Sequence, residues 1–141
     1  MAAVNLIVCE QHGTWAAALR RALGPSVELR ETRSLSECSR ELTERRTGVV
    51  AVEFTAERAA RIAAFVAWVS ERFSETRPIV LAERRLAPLE WRLREAGAAH
   101  FIVSPRQLGP LAEIVSRQAR RLPASTLSWS EKFWAELPWG D

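Results

Sequence analysis

Acidic, thiol and imidazole side chains stand where two apolar runs of the sequence end. Cys9, Glu10 and His12 follow the first run, and Glu53 follows the third. Carboxylates are the usual protein ligands of Mg²⁺, and a thiol beside an imidazole can act as a nucleophile. However, the two cysteines and two histidines show no metal-ligand spacing, and no pattern supplies an oxyanion hole. We therefore expect no catalytic residue, no metal centre and no cofactor, and we expect that the chain is not an enzyme.

The two cysteines, Cys9 and Cys38, form no C-x-x-C pair. A helix N-terminus near Cys9 would lower its pKa, as in a redox sensor, whereas Glu10 and Glu53 would raise that pKa. No resolving cysteine is evident in the sequence. The favoured interpretation is that both thiols are buried as small hydrophobic groups in a cytoplasmic protein.

Five short apolar runs alternate with five longer stretches of helical periodicity. The predicted strands are residues 4–8, 26–30, 49–52, 78–81 and 101–103, and the predicted helices are residues 14–23, 34–46, 56–73, 86–96 and 108–121. Thr14 and Ser34 stand where the first two helices begin, and their hydroxyl groups suit a helix N-cap. Five consecutive βα units predict a parallel sheet with helices on both faces.

The order of these elements predicts one doubly wound α/β domain over residues 1–121, followed by an aromatic extension over residues 122–141. In the second strand, Val27 and Leu29 alternate with charged neighbours, which is typical of an edge strand. Right-handed crossovers then favour the strand order 2-1-3-4-5 of a flavodoxin-like sheet. Such sheets bind ligands at the carboxyl ends of strands 1 and 3, where Cys9, Glu10 and Glu53 would meet.

Three stretches of the sequence, in order and at matching spacing, carry a family resemblance. Residues 6–10 read LIVCE, residues 78–82 read PIVLA, and residues 95–105 read EAGAAHFIVSP. They resemble the first, fourth and fifth strands of the receiver domains of bacterial response regulators, the last with the family's Glu-Ala-Gly-Ala segment before it. The resemblance covers residues 5–121. It implies a receiver-like fold and a role in two-component signal transduction.

The match fails at the positions that accept a phosphoryl group in the receiver family. Glu53 stands in place of the acceptor Asp, and Cys9-Glu10 in place of the acidic pair that holds Mg²⁺. Ala82 replaces the hydroxyl residue and Ser104 replaces the lysine. Because phosphoryl transfer depends on positioning and charge stabilisation, we predict a pseudo-receiver that is not phosphorylated. We favour a solvated Glu53 over a mimic of phosphorylated Asp, because Ala82 and Ser104 cannot bind the negative charge as the family's hydroxyl residue and lysine would.

The fourth and fifth helices are the predicted interaction surface. Trp91 lies about 200° around its helix from the buried stripe, so its indole should point away from the core. Arg117 could flank it on the fifth helix, and Phe101 matches the family's aromatic switch position. In receiver domains, the face formed by helix 4, strand 5 and helix 5 binds partners or a second copy. The resemblance therefore implies a protein partner or a homodimer.

The extension beyond residue 121 has no counterpart in the receiver pattern. Its helical spacing places Trp129, Phe133 and Trp134 on one short helix. Aromatic surface of this size is unfavourable in water, so it should dock either on its own domain or in a groove of a partner.

Composition and charge limit the alternatives. The net charge is +3, with mixed signs along the chain and no recognition-helix motif, so nucleic acid is not an expected partner. No apolar stretch approaches the length of a membrane span and no signal peptide is evident, so neither a membrane role nor export is expected. The main hypothesis is a phosphorylation-independent signalling adaptor. The alternative is a small-ligand sensor that uses the crevice at the ends of strands 1 and 3, which an apolar pocket with convergent polar groups would favour.

Overall fold

The computed structural model describes the backbone of residues 3–121 and the side chains of residues 4–119. The predicted aromatic extension therefore lies outside the described residues, and so do Trp129, Phe133 and Trp134. Accordingly, the predicted boundary at residue 121 and the docking of the extension stay predictions.

The described chain contains a five-stranded parallel sheet in the order β2-β1-β3-β4-β5. The strands are β1 Ala3–Cys9, β2 Leu29–Thr32, β3 Arg46–Phe54, β4 Arg77–Ala82 and β5 His100–Ile102. Apolar side chains fill both faces of the three central strands, because helices cover both faces of a parallel sheet. The doubly wound order predicted from the sequence is confirmed.

Five α-helices connect and follow the strands. They are α1 Thr14–Leu23, α2 Leu35–Glu44, α3 Ala59–Arg72, α4 Glu90–Ala96 and α5 Leu108–Arg121. Short 3-10 segments precede the last three of these helices, at Ala56–Arg58, Arg84–Leu89 and Pro105–Gln107. The predicted alternation of strands and helices is therefore confirmed, with turns inserted at the helix starts.

Two hydrophobic cores lie on opposite faces of the sheet. Ile7 and Cys9 of β1 point into a core shared with α2, α3 and α4. Leu6 and Val8 of the same strand point into a core shared with α1 and α5. This alternation follows from the two-residue period of a strand, and it determines which helix each site residue meets.

Several element boundaries differ from the sequence prediction. The second helix, predicted through residue 46, ends at Glu44, and β3, predicted over residues 49–52, spans Arg46–Phe54. Two other differences have a local cause. The second strand begins at Leu29 instead of Ser26, because Pro25 and Ser26 form a turn and the ladder starts only after the Asn5 amide side chain binds the Glu28 N–H at 2.8 Å. The fourth helix is divided: Pro88 lies in a 3-10 segment, and regular α-helix begins only at Glu90. Proline has no N–H to donate, which disfavours a continuous α-helix through this position.

Among the helices of residues 3–121, none combines the length and the apolar character that a membrane span requires.

Candidate functional site

Cys9, Glu10, Glu53, Ala82 and Ser104 all lie at or just beyond the carboxyl ends of the strands, which we call the carboxyl edge of the sheet. In the parallel register Cys9 pairs with Val52. Glu10 and Glu53, the next residues along the chain, therefore stand at equivalent positions on neighbouring segments. Ala82 pairs with Phe54, the residue after Glu53. The structure therefore brings these positions to one edge, as the sequence predicted, and their side-chain contacts decide what the edge can do.

Glu10 binds the first turn of α1. Its Oε1 accepts the Trp15 N–H at 2.9 Å and its Oε2 accepts the Ala16 N–H at 2.6 Å. The carboxylate is 2% exposed and occupies the positive end of the helix dipole. The predicted capping by Thr14 is wrong, since Gly13 is the N-cap residue, in the left-handed region at φ 85°, and makes no side-chain bond. Glu10 therefore fills the role of a capping residue from outside the helix.

Glu53 lies closer to solvent than Glu10. Its Oε1 accepts the Gln11 N–H at 3.2 Å, which ties the end of β3 to the loop after β1. Its side chain is partly exposed. The two carboxylates thus bind different backbone amide groups and do not form a jointly directed acidic pair.

Ala82 and Ser104 occupy the positions where the receiver family has a hydroxyl and a lysine. Ala82 is buried in the core under α2, α3 and α4 and offers no polar atom. The Ser104 hydroxyl accepts the Arg106 N–H at 3.2 Å and begins the 3-10 turn Pro105–Gln107. The Ser104 oxygen is therefore used in a local turn.

Phe101 on β5 is buried against the same core. Its ring meets the ring of Phe54 edge to face, with centroids 6.1 Å apart. Such aromatic pairs contribute roughly 0.5–1.5 kcal/mol beyond the area they bury. Because Phe54 directly follows Glu53, this contact joins β5 to the strand that carries the acceptor position.

Cys9 and Cys38 are buried neighbours, which the sequence analysis did not anticipate. Their side chains interact with each other and with the Thr32 side chain. Contact with Cys38 lowers the pKa of Cys9, whereas contact with Cys9 and burial raise the pKa of Cys38. The expectation that neighbouring carboxylates raise the pKa of Cys9 is wrong because the second thiol has the larger effect. Cys38 lies beside Cys9 although 28 residues separate them in the sequence, because the two thiols come together only in the fold.

Trp91 is the exposed large hydrophobic side chain of the described residues, with 60% of its surface accessible. The prediction that it points away from the core is confirmed. Arg117 on α5 is also exposed and lies 3.7 Å from Glu113 one turn away. Helices α4 and α5 belong to the two opposite cores, so the predicted interaction face wraps around the edge strand β5.

Within residues 3–121, no group of three or more His, Cys, Asp or Glu side chains is arranged to hold a metal ion. Two surface grooves lie away from the carboxyl edge. One is lined by residues of α3, β4 and α5 near Thr76 and Gln118, and the other lies beside Gly24 between α1 and β2. Neither groove includes Cys9, Glu10, Glu53 or Ser104, the crevice residues of the small-ligand alternative.

The sequence analysis missed two functional features of this edge. The capping role of Glu10 has a signal in the sequence, since α1 has no acidic residue in its first turn and begins after a glycine. The meeting of Cys9 and Cys38 has no local signal, because it depends on how α2 packs on β1.

Comparison with known proteins gives structural matches alone. No protein-family model matches the sequence, and no curated protein matches it. A CheY-like protein (TadZ) from Pseudomonas aeruginosa PAO1 is 20% identical and has a TM-score of 0.67, with 82% of this chain and 98% of that chain covered. A CheY-like receiver domain protein from Methanospirillum hungatei JF-1 is 11% identical and has a TM-score of 0.65, with 85% and 99% covered.

An orphan response regulator of H. pylori is also similar, at 17% identity and a TM-score of 0.63, with 80% of this chain and 94% of that chain covered. At these identities the three matches show a shared fold. The chain therefore has the α/β fold of the CheY-like response-regulator receiver domains.

Proposed function

We propose that this chain is a receiver-fold signalling module that binds protein partners without being phosphorylated. The observation that carries the proposal is the engagement of Glu10, whose two carboxylate oxygens both bind the start of α1. The receiver-like fold supports a role as a signalling module.

Independence from phosphorylation is supported by four side chains at the carboxyl edge. Glu10 is buried and fully used as a cap, and Cys9 is a soft thiol that points into a core. Mg²⁺ prefers hard oxygen ligands in near-octahedral geometry; Cys9 offers no oxygen, and both oxygens of Glu10 accept N–H groups of α1. Ala82 has no hydroxyl, and Ser104 has neither positive charge nor a free role. Phosphoryl transfer to this chain would therefore lack both the metal ion and the charge stabilisation that it needs.

Binding of a protein is supported by the exposed indole of Trp91 on α4. Tryptophan is enriched at the centres of interfaces, where its burial contributes strongly to affinity. The helix carries Arg92 and Arg94 beside it, and Arg94 is held by Glu90 at 2.7 Å. An apolar centre with a charged rim is the usual composition of a protein-binding patch.

The first experiment measures the intact mass of the full chain after incubation with acetyl phosphate and Mg²⁺. We expect no added phosphoryl group of about 80 Da, because the acceptor position lacks a metal site and a cation. A receiver domain with an intact acidic site, treated in parallel, is the positive control. An adduct that appears on this chain and disappears in Glu53→Gln would contradict the proposal.

The second experiment compares partner capture by the immobilised chain, by Trp91→Ala and by Arg21→Ala, a control on the exposed surface of α1. We expect capture of a specific partner, with a Kd raised at least about 30-fold by Trp91→Ala, as for an interface hot spot. Arg21→Ala should change the Kd less than about threefold. Sedimentation of the purified chain reports whether that partner is a second copy. Equal binding by all three chains would exclude the α4 surface.

A further inference from the structure

The chain holds its only two cysteines side by side, although they lie on different elements. Cys9 is the last residue of β1, and Cys38 lies in the first turns of α2. They are 3% and 0% exposed and belong to the same core. Their side chains interact directly, and both are free thiols.

Thr32 lies beside both cysteines. It pairs with Cys9 in the β1–β2 register, and its hydroxyl donates to the Val8 carbonyl at 3.1 Å. Its side chain also contacts both thiols. The last residue of β1, the last residue of β2 and the start of α2 therefore meet at one point, next to the Glu10 cap.

We propose that Cys9 and Cys38 form a reversible intramolecular disulfide, so that this corner of the carboxyl edge is a redox modification site. The two side chains already interact within one core of the reduced fold, and a disulfide would bring their sulfur atoms to a bond length of about 2.05 Å. The proposal does not depend on the partner-binding function.

A peroxide is the class of oxidant that completes the reaction. The Cys9 sulfur, as thiolate, attacks one peroxide oxygen; the S–O bond forms, the O–O bond breaks and, with the proton released by the thiol, one water leaves. The Cys38 sulfur then attacks the sulfenic sulfur, the S–S bond forms, the S–O bond breaks and a second water leaves with the Cys38 proton. In total two thiols are oxidised by two electrons and hydrogen peroxide is reduced to two waters. A dithiol reductant reverses the step by thiol–disulfide exchange.

Cys9, at the end of its strand, is the thiol that attacks the peroxide first. Contact with Cys38 is the largest cause that lowers the pKa of Cys9, and contact with Thr32 and the positive charge of Arg58, in the 3-10 turn after β3, act in the same direction. Glu37 of α2 opposes these effects. Cys38 lies deeper and carries the role of the resolving thiol, because its ionisation is disfavoured until Cys9 has reacted.

The cross-link would add a covalent connection between two elements of the fold. It would attach α2 to the end of β1, directly beside Glu10, and would close a loop of about 30 residues. Such a loop loses freedom mainly in the unfolded chain, so the oxidised protein should melt about 5–10 °C higher than the reduced one.

The test uses the full, folded chain treated with a small excess of hydrogen peroxide. We expect a mass loss of about 2 Da for the two hydrogens, one peptide that joins Cys9 to Cys38 in a non-reducing digest, and full reversal by dithiothreitol. The mass readout needs no substituted protein, so a variant that fails to fold does not obscure the result.

Cys38→Ala is the informative variant. It should lose the cross-link and leave Cys9 as a sulfenic acid that a dimedone-type reagent traps. Cys9→Ala should leave Cys38 unreacted under the same conditions. The proposal is overturned if both thiols of the native chain remain available to alkylation after peroxide, if Cys9 gains oxygen without cross-linking, or if the disulfide forms only between two chains.

Discussion

At the scale of single residues, the carboxyl edge of the sheet is best understood through the hydrogen bonds that its carboxylates already make. Glu10 binds two backbone N–H groups, one of them at 2.6 Å, whereas Glu53 binds one at 3.2 Å. Short bonds to a charged acceptor in a buried place contribute more than long bonds near solvent. The residue that resembles a metal ligand in the sequence is therefore a structural residue of the first helix.

Glu10→Ala should lower the free energy of unfolding by about 2–4 kcal/mol, because it removes a charged cap and leaves two amide groups unpaired. Glu53→Ala, which loses one long bond, should cost less than about 1 kcal/mol. Urea denaturation of both variants measures the difference. Equal losses would show that Glu10 has no special capping role.

At the scale of elements, one glycine sets how closely α3 and α4 approach. Gly97 ends α4 at φ 121°, a region that side chains rarely adopt. A Cβ at Gly97 would lie 2.3 Å from Ser70 Oγ and 2.7 Å from Ser70 Cβ, both on α3. The glycine of the EAGA segment is thus required by packing as well as by backbone conformation.

Gly97→Ala should lower the free energy of unfolding by about 2–5 kcal/mol, the sum of backbone strain and overpacking. Gly24→Ala is the matched control, since Gly24 has φ 83° but no atom within 4 Å of its Cβ position, and should cost only the strain, about 1–3 kcal/mol. In a Ser70→Gly background, Gly97→Ala should lower the free energy of unfolding only by the backbone strain, because the Ser70 side chain that the new Cβ would meet is absent. A double-mutant cycle that shows no coupling free energy between positions 70 and 97 would contradict this explanation.

At the scale of the whole molecule, the strand order explains why the carboxyl edge and the proposed interaction surface are separate. Strands β1 and β3 lie in the middle of the sheet and carry Glu10 and Glu53 at their ends. Strand β5 is an edge strand between α4 and α5, so Trp91 stands on the flank of the sheet. Phe101 and Phe54 connect these two regions through one core.

Much of the fold was predictable because its signals are local and periodic. The apolar run of β3 predicts a buried central strand, and the polar alternation of the second strand predicts an edge. The Ser34 cap was equally predictable, since its hydroxyl accepts the Glu37 N–H at 3.1 Å. The boundaries of β2 and α4 were not, because they depend on a turn and on Pro88.

The sequence by itself determined the order of the strands, the exposure of Trp91 and the absence of the hydroxyl and lysine at positions 82 and 104. Residue type and spacing are enough for such features. Only the tertiary structure decided that the Glu10 carboxylate binds the first turn of α1 and that the Cys38 side chain contacts Cys9. Both outcomes depend on the direction of side chains from separate elements, which is set by how helices pack on the sheet and not by the neighbours along the chain.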